Sequence, residues 1–133
     1  VLDLRGEGWG RHSLVWGTNG AREVRITLFD AELALEQDPR AGSHGTTVWE
    51  SSAVFAKWVE RHRRSWPLPA ASSAPRPTCV EFGAGLGLSS LALAARGVSC
   101  VATDLPEVLP LLKRNLATNS RLLSVPPPGA AAW

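Results

Sequence analysis

Residues 80–87 read Val-Glu-Phe-Gly-Ala-Gly-Leu-Gly, and Thr103-Asp104 follows one helix and one strand later. Glycines at 83, 85 and 87 allow positive φ and let a ligand approach the backbone closely. The turn they form opens a Leu- and Ala-rich helix, Leu88 to Ala95, whose N-terminal N–H groups suit a carboxylate or phosphate. Asp104 stands where a carboxylate would accept both hydroxyls of a ribose. Glu81 ends a short apolar strand, Cys79 to Phe82, and a carboxylate there is costly unless a cation or hydrogen-bond donors meet it. The chemistry these residues predict is nucleoside binding.

Spacing separates two cofactor classes. A dinucleotide fingerprint, G-x-G-x-x-G, would put its third glycine at position 88, which is Leu88; the glycine comes one residue early, at Gly87. The pattern is E-x-G-x-G-x-G. The α-ammonium of S-adenosylmethionine would satisfy Glu81, whereas a pyrophosphate would be repelled by it. The residues therefore favour a methyl donor over a nicotinamide cofactor. The competing reading is a purely structural glycine turn with a solvated Glu81.

The elements that must hold these residues are legible from periodicity. Arg22 to Phe29 alternates as a half-buried strand, and Leu33 and Leu35 belong to a second strand paired as a hairpin through Asp30 and Ala31. Asp38 to Gly45 is a loop. Val48 to about Arg64 reads as a helix, with Trp49, Ser52, Ala53, Ala56, Val59 and Arg63 on one face, stopped by Trp66-Pro67-Leu68-Pro69. Gly97 is placed as a helix C-cap before a strand over Val98 to Thr103. In the next helix, Pro106 and Glu107 suit the first turn and Lys113-Arg114 the negative end, while Pro110 forces a bend. The expected organisation is an irregular segment 1–21, a hairpin and helix 22–66, a Pro/Ala/Ser linker 67–77, a β-α-β-α core 78–119 and a low-complexity tail 120–133.

The 133 residues are 44% apolar and 20% charged, the balance of a globular protein. The absence of methionine, even at position 1, and a start inside folded-looking sequence make the chain read as a piece of a longer protein. A net charge of +2 does not argue for nucleic acid. Arg61, Arg63 and Arg64 could grip an acidic protein or RNA surface, but a solvated helix end whose cations offset the helix dipole is the preferred reading. Cys79 and Cys100 lack metal spacing and are expected to be buried free thiols of a reducing compartment. No stretch is long and apolar enough to span a membrane and no signal peptide is visible, which suits a cytoplasmic protein, with the nucleus as an alternative.

Three stretches together, Gly45-Thr46-Thr47-Val48-Trp49-Glu50-Ser51-Ser52, Val80 to Leu88 and Thr103 to Asn115, resemble the seven-β-strand methyltransferases that modify lysines of non-histone proteins. The likeness covers roughly residues 22 to 119, and the Gly-x-x-Val-Trp segment narrows it to that family. It implies an α/β fold, Rossmann-like and of the class I methyltransferase type, truncated after the second strand–helix unit and preceded by a β-hairpin and helix. It further implies S-adenosylmethionine as cofactor and a protein lysine as substrate. Gly83, Ala84 and Gly85 would line the methionine half through their backbone, Asp104 would bind the ribose, and Trp49 would wall the pocket. Without the resemblance, Trp49 reads as the first core residue of its helix.

The family's later strands, its second cofactor-contacting Trp and its lysine-shaping acidic segment have no counterpart in these residues, so the cofactor-binding half alone is expected here. No catalytic residue is assigned: His12, His44 and His62 sit in two loops and at a helix end. A binding or scaffold protein without activity, an NAD-dependent oxidoreductase, and a methyltransferase acting on arginine or a small molecule are the competing functions.

Overall fold

The computed structural model describes residues 20–63 and 77–120. Most of the segment 1–21, the helix stop at Trp66-Pro67, nearly all of the linker 67–77 and the tail beyond Ser120 lie outside the described residues.

Alternation produces the first two elements. Val24, Ile26 and Leu28 of β1 (Glu23–Leu28) and Leu33 and Leu35 of β2 (Ala31–Glu36) are all buried, and most of the intervening side chains face outward. Their antiparallel register sets Val24 opposite Leu35 and Ile26 opposite Leu33, so apolar pairs share one face. The turn falls on Phe29-Asp30 rather than Asp30-Ala31, and Ala31 pairs with Leu28. Both turn residues have positive φ, 51° and 65°, the signature of a two-residue I′ turn without its usual glycine. Distant side chains hold it. Glu60 accepts the Phe29 N–H at 2.6 Å, and Lys57 donates both to Thr27 O at 2.6 Å and to Glu60 at 2.7 Å.

Those two side chains sit on α1 (Glu50–Arg61), which is shorter than the periodicity suggests. Ala53, Ala56 and Val59 form its buried stripe. Trp49 and Arg63, expected on that stripe, flank the helix and are exposed, because neither belongs to its regular turns.

Next come β3 (Thr78–Phe82), α2 (Leu88–Ala94) and β4 (Ser99–Thr103), with β3 and β4 parallel and α2 as the crossover. Gly97, at φ 84°, ends α2 as the spacing anticipates. Its N–H reaches Ala94 O at 2.9 Å and the Val98 N–H reaches Leu93 O at 3.2 Å, the paired bonds of a Schellman motif. Leu88, Leu91 and Ala92 of α2 join the hairpin's apolar face, Val48, Ala53 and Ala56 in one core.

The last helix, α3 (Leu109–Thr118), starts later than Pro106. Pro110 therefore occupies its second position, where no intrahelical partner is needed, and no bend is forced. Glu107 lies in the preceding turn, and Lys113 and Arg114 are mid-helix instead of at its end. Arg114 makes a forked pair with Glu36 at 2.9 and 3.1 Å, which holds that exposed carboxyl below its ordinary range.

Beside that pair, two asparagines hydrogen-bond to the edge of β2 that has no strand partner among the described residues. Asn115 accepts the Glu36 N–H at 2.8 Å and donates to Glu36 O at 3.0 Å. Asn119 repeats this on Ala34, at 3.1 and 2.8 Å. Four helical residues rise about 6 Å and two strand residues about 6.7 Å, so amides at this spacing match alternate residues of the strand. Replacing Asn115 by alanine is expected to destabilise the full-length protein by about 1–3 kcal/mol, since two half-buried backbone groups lose their partner. Urea unfolding checks it. A change below about 0.5 kcal/mol would mean that water replaces the amide.

Candidate functional site

The chain leaves β3 through the glycine turn, and each glycine there has its own physical reason. A Cβ on Gly83, at φ 65°, would meet nothing within 4 Å and would point into open space. One on Gly85, at φ 53°, would lie 3.3 Å from the carbonyl oxygen of Gly45. One on Gly87 would lie 2.7 Å from Leu112 of α3. The turn is pinned to the end of β4: Ala84 N–H donates to Thr103 O at 2.9 Å and Gly85 N–H to Asp104 Oδ2 at 2.6 Å. The Leu105 N–H donates to Asp104 Oδ1 at 2.7 Å. The N–H groups of Ala84 and Gly85 are thus used inside the protein, and what these residues present outward is close backbone surface.

The segment Gly45 to Trp49 forms the facing wall, and packing explains its composition. A Cβ on Gly45 would sit 2.9 Å from Val108, so only glycine fits between Val108 and the Gly85 turn. Val48 is buried, and its N–H donates at 2.7 Å to Gln37, itself only 3% exposed. Gln37 also reaches Ala21 O at 2.9 Å, which ties this wall to the hairpin. Trp49 follows as the N-cap of α1, 54% exposed, so it is not the core residue that helical periodicity alone suggests. Its Nε1–H donates to His44 O at 2.6 Å and its indole stacks on the His44 ring.

Between the two walls lies an open cavity of about 870 Å³. All six residues singled out from sequence line it: Trp49, Glu81, Gly83, Ala84, Gly85 and Asp104. Sequence reasoning missed Ser90, His44 and Glu107. Ser90 is buried and its hydroxyl donates to the Glu81 carboxylate, so Glu81 is held by a donor within the protein. A polar Ser89-Ser90 pair opening an otherwise Leu/Ala helix was the available signal. His44 and Glu107 also line the cavity, the latter because its turn precedes α3. Three carboxylates, Glu81, Asp104 and Glu107, border the space, and among the described residues no Lys or Arg does. Nor do the described residues contain a cluster of three metal-ligating side chains, or a helix long and apolar enough to cross a membrane.

These surroundings decide which glycine reports on a ligand. The space beside Gly85 belongs to Gly45, so enlarging Gly85 disturbs the wall. The space beside Gly83 is open, and Gly83 lines the cavity. Gly83→Ala is expected to weaken cofactor binding roughly tenfold, about 1.4 kcal/mol, because alanine adds a methyl group there and strains a backbone held at φ 65°. Calorimetric titration of the full-length variant measures this; unchanged affinity would place the ligand elsewhere.

A parallel strand–helix–strand unit thus carries a glycine turn after its first strand and an aspartate after its second, beside a Trp-bearing loop. The family described as lysine methyltransferase matches residues 28–125, and the chain belongs to that family. It is 32% identical over 79 residues to protein-lysine methyltransferase METTL21E of Mus musculus, a stretch covering 59% of this chain and 30% of that protein. The Bos taurus protein of the same name is 32% identical over 78 residues, covering 59% and 25%. The Homo sapiens putative methyltransferase-like protein 21E pseudogene is 31% identical over 81 residues, covering 61% and 28%. The matched stretch spans less than a third of each of these relatives.

Proposed function

We propose that the protein containing this chain is an S-adenosylmethionine-dependent protein-lysine methyltransferase, and that residues 78–119 hold its cofactor in a Rossmann-like, class I arrangement. The observation that carries this reading is the charge of the cavity, bordered by Glu81, Asp104 and Glu107 with no described Lys or Arg. A ligand bearing an ammonium and a sulfonium suits such a wall. A pyrophosphate would face carboxylates with no counter-charge, which disfavours a dinucleotide. The order β3-α2-β4-α3, with the cavity at the C-terminal ends of parallel strands, supports the same reading.

Bound there, S-adenosylmethionine supplies a methyl group on an electrophilic sulfonium. The protein's own tasks are alignment and exclusion of water. Asp104, oriented by two backbone N–H groups, accepts the ribose hydroxyls. Glu81, oriented by Ser90, receives the α-ammonium. Gly83 leaves room at the turn, and the Trp49 indole, fixed by His44, walls the pocket. The acceptor lysine must arrive neutral, since an ammonium that titrates near ~10.4 has no lone pair to attack with. No residue of this chain is assigned as its base.

The test uses the full-length protein with labelled S-adenosylmethionine and the proteins of a cell extract. Label recovered as methyl-lysine, and lost with Asp104→Ala, supports the proposal. Cofactor binding without transfer would assign a binding or scaffold role, and binding of NADH in its place would overturn the cofactor.

A further inference from the structure

Cys79 and Cys100 are the two cysteines of the chain, and they are half-buried rather than fully enclosed. The parallel register makes them direct partners across β3 and β4. By the alternation of strands they share the face of Glu81 and Ala102, opposite the face of Val80, Phe82 and Val101. The Cys79 S–H donates to the Cys100 sulfur at 3.0 Å, and the Cys100 S–H is 3.7 Å from Val98 O.

We propose that Cys79 and Cys100 form a reversible thiol–disulfide couple, a modification site on the sheet that carries the cavity. Neighbouring strands lie about 4.7–4.9 Å apart, inside the Cα separation of about 4.4–6.8 Å that a disulfide spans. A disulfide bond is about 2.05 Å long, so the sulfurs, 3.0 Å apart, need to close by roughly 1 Å. Both cysteines are half-buried, and the oxidant named for the exchange is glutathione disulfide.

The two thiols have different roles in the exchange. Burial, with Cys79 and Glu81 adding to it, pushes the Cys100 thiol up to about 12, so Cys100 keeps its proton at neutral pH; the exchange as proposed opens at Cys79. The Cys79 thiolate attacks one sulfur of glutathione disulfide and releases a glutathione thiolate, which takes up a proton. Cys100 then loses its proton and attacks the Cys79 sulfur, releasing the second glutathione. The protein dithiol is oxidised by two electrons, and one glutathione disulfide is reduced to two thiols. The outcome ties β3 to β4 two residues before Glu81.

The test treats the full-length protein with glutathione disulfide, blocks free thiols with N-ethylmaleimide and digests with trypsin without reduction. Arg96 separates the two cysteines, so they fall on different peptides. A linked pair of these peptides that dithiothreitol separates is expected. Cys100→Ser should instead accumulate glutathione on Cys79, and Cys79→Ser should leave Cys100 unmodified. In the wild-type protein, glutathione remaining on either cysteine, linkage of either to a third cysteine, or both thiols still blocked by maleimide would overturn the proposal. So would prompt glutathionylation of Cys100 in Cys79→Ser.

Discussion

Asp104→Ala in the full-length protein is expected to weaken S-adenosylmethionine binding by roughly 10²- to 10⁴-fold. Each carboxylate oxygen already accepts one backbone N–H, from Gly85 at 2.6 Å and Leu105 at 2.7 Å. Each keeps further acceptor capacity, enough for one ribose hydroxyl apiece. Two hydrogen bonds to a charged acceptor are worth about 1.5–3 kcal/mol each, which sets the range. The substitution also frees the Gly85 N–H, so part of the loss comes from a slackened glycine turn. Asp104→Asn separates the contributions: it keeps one acceptor oxygen but turns a donor toward either the backbone or the ribose, and should fall between wild type and alanine. Isothermal calorimetry reads affinity, and thermal unfolding without cofactor reads the turn. An alanine variant within about twofold of wild-type affinity would sink the ribose assignment.

The second large effect concerns residues 1–133 expressed by themselves, which are expected to be poorly soluble or molten and to bind S-adenosylmethionine weakly at best. The outer face of the β3–β4 sheet is apolar and open: Val80 is 56% exposed, Val101 57% and Phe82 85%. Among the described residues this sheet has two strands, so each presents an unpaired edge as well. An apolar face beside free backbone donors and acceptors invites pairing between copies. Size-exclusion chromatography and a thermal melt provide the check. A monomer with a cooperative transition and micromolar cofactor affinity would refute the expectation and show that the exposed face is tolerated.

Where the controlling forces are local, the outcome was legible from the residues alone. The alternation of Val24, Ile26 and Leu28 reports the buried face because strand side chains alternate regardless of what they face. Gly97 ends α2 because positive φ is cheapest for glycine. The Glu81, Gly83, Gly85 and Asp104 constellation was legible because one strand–turn–helix–strand unit carries all of it. The rest depended on folding, since its causes lie far along the chain. Glu60, about thirty residues away, helps fix the hairpin turn at Phe29-Asp30, where no glycine marks it. Trp49 leaves the helical stripe to line a cavity whose other wall comes from the glycine turn. Asn115 and Asn119 read as ordinary polar helix residues until the edge of β2 lies beside them. Cys79 and Cys100 become partners only through a parallel register, which hydrophobic periodicity leaves unspecified. Periodicity and turn chemistry sense near neighbours, whereas the cavity's charge and its walls arise from segments that folding alone brings together.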